Sequence, residues 1–367
     1  MVNTQMLKLI LALTSTTSLV FFVLFIYFYC KRTRRNESED IEKTEYRNGD
    51  ETHEEEEDEE EEEDLVTFHG GQDLTVGDIL DAPGEVIGKS NYGTLYKAFL
   101  QNSKSVRLLR FLRPVCALRG EDFDQIIRFL GSIRHPNLVP LLGFYAGPRG
   151  EKLLVYPFYH CGNLAQFIKD CNNEAQKWAI IYKISLGIAK GLDYLHSGFQ
   201  KPIIHGNLKS QNILLDRYFQ PHISDSGLHL VLNPTAGQEM LESLASQGYK
   251  SPELIKMKEA SEVTDIYSLG VILLELLTGK EPVNENPTTP DEDFYLPNYL
   301  RKAVLRHRVT DLFNPNILIT RDDDYEVPVT EENILKFFQL AMSCCSPSPS
   351  LRPTIKQVLW KLEEIGK

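Results

Sequence analysis

The sequence predicts an α+β protein that is preceded by one transmembrane helix. Strand-like apolar runs surround a glycine-rich turn near residue 90, whereas apolar residues recur at helical spacing after residue 160. The segment from Ala179 to Leu195 is apolar at 180, 181, 184, 188, 192 and 195, which is the stripe of an amphipathic helix. The segment from Asp265 to Leu277 is apolar nearly all round, which predicts a helix at the centre of a domain.

The transmembrane helix is predicted from Leu9 to Cys30. This run of 22 residues carries no charge, and a helix needs about 20 residues to cross a bilayer. A basic cluster, Lys31 to Arg35, follows the run, and only Lys8 precedes it. Basic residues favour the inner side of a membrane, so residues 31–367 are expected in the cytoplasm, beneath the plasma membrane.

A cleaved signal peptide is the alternative interpretation of the same run. Signal peptides have a shorter apolar region, of about 7–15 residues, and a small-residue cleavage site, and neither feature is present here. The single-pass interpretation leaves residues 1–8 as an extracytoplasmic tail. We expect no extracellular ligand domain, because this tail is too short to fold.

Residues 31–72 are predicted to be a disordered linker that is first basic and then acidic. Glu54 to Asp64 is an unbroken run of eleven acidic residues, and a block of like charge without apolar residues does not fold. Residues 1–64 carry a net charge of −11 out of the −13 of the whole chain, so the acidity belongs to the linker. No basic run balances it, which disfavours nucleic acid as a partner.

The six cysteines indicate a reduced, cytosolic domain. They show neither the paired spacing of a metal site nor the pattern of a disulfide framework. Their positions are Cys30, Cys116, Cys161, Cys171, Cys344 and Cys345.

The stretch from His205 to Asn212, H-G-N-L-K-S-Q-N, carries the clearest chemical signal. Its spacing matches the H-R-D-L-x-x-x-N loop of protein kinases, whose Asp accepts the proton of the substrate hydroxyl and whose Asn holds a metal ion. Further motifs stand in the kinase order, namely a glycine-rich loop at Val86–Tyr96, a D-F-G-like Ser224–Gly227, an A-P-E-like Ser251–Glu253 and a late Arg352.

Taken together, these motifs resemble the plant receptor-like kinases related to leucine-rich-repeat receptor kinases. Gly191–His196 and Leu273–Lys280 are similar to that group in particular, although the chain contains no leucine-rich repeats. The resemblance covers roughly residues 75–364 and implies a bilobal kinase-like domain at 75–365. We expect a five-stranded antiparallel sheet with one helix at about 75–155, and a larger helical lobe at about 160–365.

The resemblance also assigns ligand roles. Gly88, Ser90, Gly93 and Lys209 stand at nucleotide-contacting positions, and Asn212 and Asp225 stand at metal-binding positions. Plainer roles remain open for all of them: the glycines suit a tight turn, Lys209 can bond its neighbours, and the two metal-type residues can fix loops by hydrogen bonds.

Ser90 replaces the middle glycine of the glycine-rich loop and Ser226 replaces the Phe of D-F-G, and three further positions depart from an active kinase. Asn207 stands where the catalytic Asp belongs, and an amide cannot act as a general base at neutral pH. The third-strand Lys is absent: alternation puts Leu109 at its position, and a shift of one residue puts Arg110 there, which is no simple substitute. Ile126 stands at the helix-C Glu position, nine residues before His135. Replacing both members of a buried ion pair by apolar residues can leave the stability of the fold unchanged, so a contact between Leu109 and Ile126 is expected.

The sequence therefore predicts a membrane-anchored pseudokinase that acts as a scaffold or allosteric partner of active receptor kinases. No cofactor is required, and weak binding of ATP with Mg or Mn is the most that is expected. The alternatives are an active atypical Ser/Thr kinase and an adaptor with a closed cleft. Phosphorylation of the activation segment is a further hypothesis, with candidates at Thr235, Ser243, Ser246 and Ser251.

Overall fold

The computed structural model describes residues 64–170, 177–255, 260–284, 294–306, 313, 317 and 330–367. These residues fall within one unit of the chain, Glu61–Lys367. The predicted tail at 1–8, the predicted transmembrane run at 9–30 and the linker up to residue 63 lie outside the described residues. Among the described helices, none is long and apolar enough to cross a membrane.

The N-terminal lobe is built on a six-stranded antiparallel sheet with the order β1-β5-β6-β4-β3-β2. One short helix, α1 (Val76–Leu80), and one longer helix, α2 (Glu121–Ser132), accompany it. The strands are β1 (Asp64–Thr67), β2 (Gly84–Ser90), β3 (Gly93–Leu100), β4 (Ser105–Leu112), β5 (Gly143–Ala146) and β6 (Lys152–Pro157).

The sheet has one strand more than the sequence predicted. Residues 64–67 were expected to be the end of the disordered linker, yet they form β1 and pair with Gly143–Ala146. The reason is that Leu65 and Val66 follow the acidic run directly, and both pack against apolar clusters of the lobe. Two apolar residues at the edge of a sheet are enough to extend it by one short strand.

The C-terminal lobe is mainly helical, as predicted. Its helices are α3 (Leu164–Lys169), α4 (Trp178–Ser197), α5 (Pro234–Ser246), α6 (Glu262–Thr278), α7 (Leu296–Leu305), α8 (Glu331–Cys344) and α9 (Ile355–Ile365). A two-stranded ribbon, β7 (Ile213–Leu215) and β8 (Pro221–Ile223), lies below the cleft, and short 3₁₀ turns occur at Ser210–Asn212, Leu228–Val231, Pro252–Ile255 and Pro349–Leu351.

Helix α6 is the centre of the helical lobe. Every residue from Thr264 to Leu277 is buried, because the helix packs against α4, α7 and α8. The backbone N–H of Ser261 donates to Thr264 Oγ1 at 2.9 Å and starts the helix. Gly279 ends it in the left-handed conformation, at φ +67°, which glycine adopts without strain.

The A-P-E-like motif is fixed to the end of the lobe by a buried ion pair. Arg352 Nη2 donates to Glu253 Oε2 at 2.7 Å, and Arg352 also donates to the carbonyl of Val263. The pairing joins the two motif positions, Glu253 and Arg352, that the sequence places in the kinase order.

Backbone hydrogen bonds join the two lobes beside the cleft. Val139 N–H donates to the Ile223 carbonyl at 2.9 Å, so the chain after α2 is tied to β8. On the other side, Leu118 N–H donates to the Val231 carbonyl and Asn233 N–H donates to the Cys116 carbonyl. These contacts hold α2 and the segment after β8 in a fixed relation to each other.

Candidate functional site

The loop from His205 to Asn212 is held in place by the buried carboxylate of Asp265. Its Oδ2 accepts the backbone N–H of His205 at 2.7 Å, and its Oδ1 accepts that of Gly206 at 3.0 Å. His196 Nε2 lies 3.0 Å from the same carboxylate. Burial alone would raise the pKa of Asp265, but the hydrogen bonds and the positive field of the histidines lower it below its ordinary value. A permanent anion thus shapes the loop.

Gly206 has a conformation that suits glycine. Its φ is +72°, and a Cβ at this position would lie 3.0 Å from Nδ1 of His229. Gly206 stands where the kinase loop has arginine, and the ring of His229 lies beside it, where a side chain would begin.

Asn207 occupies the catalytic position and is 2% exposed. Its backbone N–H donates to His205 Nδ1 at 3.1 Å, and its carbonyl accepts Asn212 Nδ2 at 2.9 Å. Its side-chain Oδ1 is buried and finds no hydrogen-bond partner among the described residues. The loop therefore keeps its form, while the side chain offers a neutral amide in place of a base.

Asp225, of the D-F-G-like motif, is engaged by Arg110. Arg110 Nη2 lies 2.6 Å from Asp225 Oδ1, and the two side chains are only 10% and 6% exposed. The backbone of Asp225 is left-handed, at φ +63°, which is uncommon for a residue other than glycine. A close, buried, charge-assisted hydrogen bond of this kind is among the stronger polar contacts in proteins.

The structure places Arg110, and not Leu109, in the cleft. Leu108 and Arg110 line the cleft, whereas Leu109 belongs to the apolar cluster on the opposite face of the sheet. The hydrophobic pattern could not decide the register because β4 has buried residues on both of its faces, among them Leu108, Leu109 and Arg110. Pairing with β3 and β6 fixes the orientation of β4 in the sheet. Because side chains alternate along a strand, Leu108 and Arg110 then lie on one face and Leu109 lies on the other.

The expected contact between Leu109 and Ile126 is therefore wrong. Ile126 is half-buried and packs against the larger core, and Leu109 packs in the other cluster. Ile127, the residue after Ile126, is 1% exposed and lies close to Asp225 across a small cavity. Ile126, which spacing assigns to the helix-C position, thus packs in the core, and Arg110 of β4 pairs with Asp225.

Burial and charge shift several pKa values around this pair. Burial alone would lower the pKa of Arg110, but attraction to Asp225 raises it above its ordinary value. Burial raises the pKa of Tyr92 and of Tyr156, and the negative charge of Asp225 adds to the effect. Both tyrosines are therefore neutral at physiological pH, and the ion pair is the charged centre of the cleft.

The glycine-rich loop is folded onto this centre. Tyr92 is 8% exposed, its ring centroid lies 5.9 Å from the guanidinium carbon of Arg110, and its carbonyl accepts the Arg113 N–H at 2.9 Å. Ser90 Oγ donates to the Gly93 carbonyl at 3.1 Å. A Cβ on Gly93 would lie 2.5 Å from the Phe111 carbonyl, so this glycine is required by close backbone packing.

Lys209 does not face the cleft cavity. Its Nζ donates to Gln247 Oε1 at 3.0 Å, which ties the loop to the segment after α5. Burial lowers the pKa of Lys209, against the attraction of Asp225. The sequence left open a contact to phosphate or a bond to neighbouring residues, and the bond to neighbouring residues is wrong, because the partner is a side chain 38 residues along the chain.

The cleft contains a cavity of about 360 Å³. Of the residues predicted to bind ligands, Asn212 and Asp225 line it, together with Arg110. Gly88, Ser90, Gly93 and Lys209 are not among its lining residues. Its walls include the apolar side chains of Leu95, Leu108, Tyr156 and Leu214.

Sequence reasoning missed two residues of this site. Leu108 stands two residues before Arg110, at the place of the Ala in V-A-I-K, and so narrows the cavity with a larger side chain. Tyr92 caps the ion pair from the glycine-rich loop. If the register of β4 had been known, Leu108 would have been identified as a cleft residue. No feature of the sequence indicates that the ring of Tyr92 is buried beside the ion pair.

Ser226 leaves a small apolar space where D-F-G kinases have Phe. A cavity of about 30 Å³ lies between α2 and the Asp225–Ser226 turn, lined by Ile127 and Leu130 among others. Ser226 Oγ is buried and has no hydrogen-bond partner among the described residues. The turn thus lacks an apolar anchor, and the space of about 30 Å³ that remains is too small for a Phe ring.

The segment between Gly227 and Glu253 folds into a helix, α5. Asn233 caps it by accepting the Ala236 N–H at 2.9 Å, and Pro234 occupies its first turn. Thr235, Ser243 and Ser246 are exposed on or beside this helix. Ser251 is fully buried, so it is the one candidate phosphorylation site of the four that a modifying enzyme cannot reach in this conformation.

The family model described as protein kinase domain matches residues 82–361 of this chain. The chain belongs to the protein kinase family. The kinase-like protein TMKL1 of Arabidopsis thaliana is 38% identical over 336 residues, which cover 91% of this chain and 48% of that protein. A probable leucine-rich repeat receptor-like protein kinase of the same plant, IMK3, is 39% identical over 82% of this chain and 37% of its own length.

Inactive kinases occur among the relatives of this kinase domain. A probable inactive receptor kinase of Arabidopsis thaliana is 33% identical over 79% of this chain and 43% of its own length. The chain spans less than half the length of each of these three relatives. The resemblance to plant receptor-like kinases, including degenerate members, is thereby confirmed.

Solved kinase domains of plants share the fold. The kinase domain of maize SIRK1, a sucrose-induced receptor kinase bound to AMP-PNP, superimposes with a TM-score of 0.71 at 29% identity, covering 83% of this chain and 100% of that one. The pseudokinase domain of BIR2, an immune regulator of the RLK/Pelle family, gives a TM-score of 0.67 at 32% identity, covering 83% and 90%. The bilobal kinase fold is confirmed.

A kinase fold implies ATP and a divalent metal ion, and the residues of this cleft do not fit the metal. Asp225 already accepts a guanidinium, which stays protonated at any physiological pH. Asn212 donates its amide nitrogen to the Asn207 carbonyl, so its Oδ1 is the one neutral oxygen that it could offer a metal. Across the described part of the chain, no three His, Cys, Asp or Glu side chains come together as metal ligands.

Proposed function

We propose that this protein is a catalytically inactive receptor-like kinase that signals through protein contacts. Asn207 carries the proposal, because the loop is built around this position and the side chain there cannot accept the proton of a hydroxyl. Loss of a general base typically lowers a rate by about 10²–10⁴. The carboxylate that would hold a metal is also paired with Arg110.

The test is a phosphotransfer assay with purified full-length protein. We expect no phosphate on the protein itself or on generic protein substrates, with magnesium or with manganese. The alternative is an active atypical Ser/Thr kinase, supported by the retained Asn212 and Asp225. Phosphorylation by the wild-type protein that is lost in Asp225→Ala would establish the alternative and end this proposal.

The partner proposed is an active receptor kinase, and the candidate surface lies where the two lobes meet. Val115, Phe129 and Leu230 are 74%, 42% and 37% exposed there, although all three are apolar. Val115 and Leu230 flank the backbone contacts between the β4–α2 connection and the segment before α5. Exposed apolar residues beside a fixed joint suit a docking surface better than a catalytic one.

Association with such a kinase can be measured by co-precipitation from plant membranes. Leu230→Glu is expected to reduce it at least several-fold, because a charge replaces an apolar contact at the candidate surface. Leu351→Glu is the matched control, since Leu351 is 72% exposed on the helical lobe. Equal loss in the two variants would argue against this surface.

Anchoring by residues 9–30 is also part of the proposal, as a single-pass segment with the kinase domain in the cytosol. It is supported by the uncharged 22-residue run and the basic cluster after it. Protease added to sealed microsomes should digest the kinase domain from outside. Protection of that domain, or a soluble form that lacks residues 1–30, would disprove this orientation.

A further inference from the structure

We propose that Arg110 is a built-in counter-cation for Asp225, so that the cleft takes a flat, nucleoside-sized ligand without a divalent metal ion. The inference rests on the proposed absence of phosphoryl transfer and deepens it, since it names the ligand class of the same cleft. Four observations carry it: the ion pair, the position of Tyr92, the remaining cavity, and a free donor on Arg110.

The ion pair takes the place that a metal needs. A divalent cation would have to bind Asp225 next to a guanidinium whose Nη2 is 2.6 Å from Oδ1. Both side chains are nearly buried, so water screens the repulsion between the two cations poorly. The carboxylate is neutralised from inside the chain, and a second cation is both unnecessary and disfavoured.

Tyr92 belongs to the glycine-rich loop, the loop that covers phosphates in kinases, and it is buried beside the ion pair. Its ring rests over Arg110, and its carbonyl is bonded to the Arg113 N–H. Gly88, Ser90 and Gly93 contribute nothing to the lining of the cavity. The residues at the phosphate-contacting positions thus lie outside the cavity, and a triphosphate gains little from them here.

The opposite end of the cleft stays open. Its cavity of about 360 Å³ lies within the range of about 300–1,000 Å³ that small-molecule sites occupy. Leu95, Leu108 and Leu214 give it apolar walls that suit a flat heteroaromatic ring. Arg110 Nε is buried without a hydrogen-bond partner among the described residues, which leaves one donor for an uncharged acceptor on the ligand.

Thermal unfolding of the full-length protein tests the ligand class directly. The probes are adenosine, ATP alone, ATP with magnesium, and magnesium alone. We expect adenosine and metal-free ATP to raise the Tm, magnesium alone to leave it unchanged, and magnesium to alter the Kd of ATP by less than about threefold. A larger rise with ATP and magnesium together than with ATP alone overturns the proposal, and so does the absence of any shift with adenosine.

Substitution of Arg110 tests the counter-cation. Arg110→Gln removes the charge and frees Asp225, so magnesium alone should now raise the Tm, and Arg110→Gln with Asp225→Asn should abolish that response. Arg107→Gln is the matched control: Arg107 lies on the same strand, on its opposite face, and pairs with Asp73 at 3.2 Å. A magnesium response that is absent from Arg110→Gln, or equal in the control, contradicts the role of Arg110.

If Arg110→Gln fails to fold, Asp225→Asn alone provides the test. This variant should fold, because its amide oxygen can still accept a hydrogen bond from Arg110. Magnesium should change its Kd for ATP by less than about threefold, as in the wild type, because no metal takes part. A folded Asp225→Asn protein that loses a magnesium-dependent ATP affinity present in the wild type contradicts the proposal. ATP binding that requires magnesium without phosphotransfer would overturn this inference alone, and the proposed function would stand.

Discussion

Arg110 and Asp225 come from different lobes, 115 residues apart in the chain, and meet at 2.6 Å in the floor of the cleft. Arg110 lies in the third position from the end of β4, and Asp225 opens the turn after β8. The contact therefore joins the lobes directly. It also places a guanidinium on Oδ1 of the carboxylate on which a kinase depends for its metal.

The first prediction concerns the stability that this ion pair provides. Asp225→Ala should lower the free energy of unfolding by about 3–5 kcal/mol, because it leaves the Arg110 charge buried without a partner. Chemical denaturation of the wild type and the variant measures the difference. Asp73→Ala is the control: its half-exposed pair with Arg107 should contribute no more than about 1 kcal/mol. Equal losses would mean that the buried pair is no more important than a surface pair.

The second prediction concerns the catalytic position. Asn207→Asp alone should not produce kinase activity, since Asp225 remains paired with Arg110 and Ile126 still replaces the helix-C carboxylate. The variant should also be less stable, by about 1–3 kcal/mol, because a buried charge replaces a buried amide whose Oδ1 has no described partner. Phosphate incorporation and melting temperature are the measurements. Strong autophosphorylation by Asn207→Asp would mean that a missing base is the single defect.

The third prediction concerns the buried hydroxyl of Ser226. Ser226→Ala should stabilise the protein by about 1 kcal/mol, because it removes a buried polar atom that lacks a described partner. Ser185→Ala is the matched control and should destabilise it by a similar amount, since Ser185 Oγ donates to the Ile181 carbonyl at 2.7 Å. The cavity beside Ser226 is about 30 Å³, so Ser226→Phe should overpack it and lower the Tm. Destabilisation by Ser226→Ala would point to a ligand or water on the hydroxyl.

The fourth prediction concerns pH. Burial raises the pKa of Glu275 to about 8, and its carboxyl accepts hydrogen bonds from Tyr249 at 2.7 Å and Ser210 at 3.1 Å. A pKa that is higher in the folded state than in the unfolded state gives stability that is present at low pH and is lost as pH rises through the folded value. The Tm should therefore fall as pH increases from about 6.5 to about 8.

Glu275→Gln should flatten this dependence and raise the Tm at the alkaline end, because the amide keeps the shape and carries no titrating proton. Melting curves across the same pH window measure both effects. Burial lowers the pKa of His135, His205, His222 and His229, so these groups weaken the fold as pH falls through the ordinary histidine value of 6.5 and oppose the Glu275 trend only at the acid end of the window. An unchanged slope in Glu275→Gln would assign the pH dependence to another group.

Local patterns were enough to predict most of the fold. The apolar stripe at 180–195 became α4, and the nearly continuous apolar run at 265–277 became the buried α6. The motif order predicted the kinase fold, and Asn207 and Ile126 were identified by spacing alone. These features depend on neighbours in the sequence, so short-range periodicity and motif spacing reveal them.

Only the tertiary structure decided the chemistry of the cleft. The sequence left Leu109 and Arg110 as alternatives, because a strand buried on both faces has no polar side to mark its register. Pairing with β3 and β6 turned Arg110 inward, and the folded lobes brought it to Asp225. The same holds for Tyr92, which covers the pair, and for β1, which pairs with a strand nearly 80 residues away. Contacts between distant segments have no local signature, so the exchange of a metal for an arginine became visible only in three dimensions.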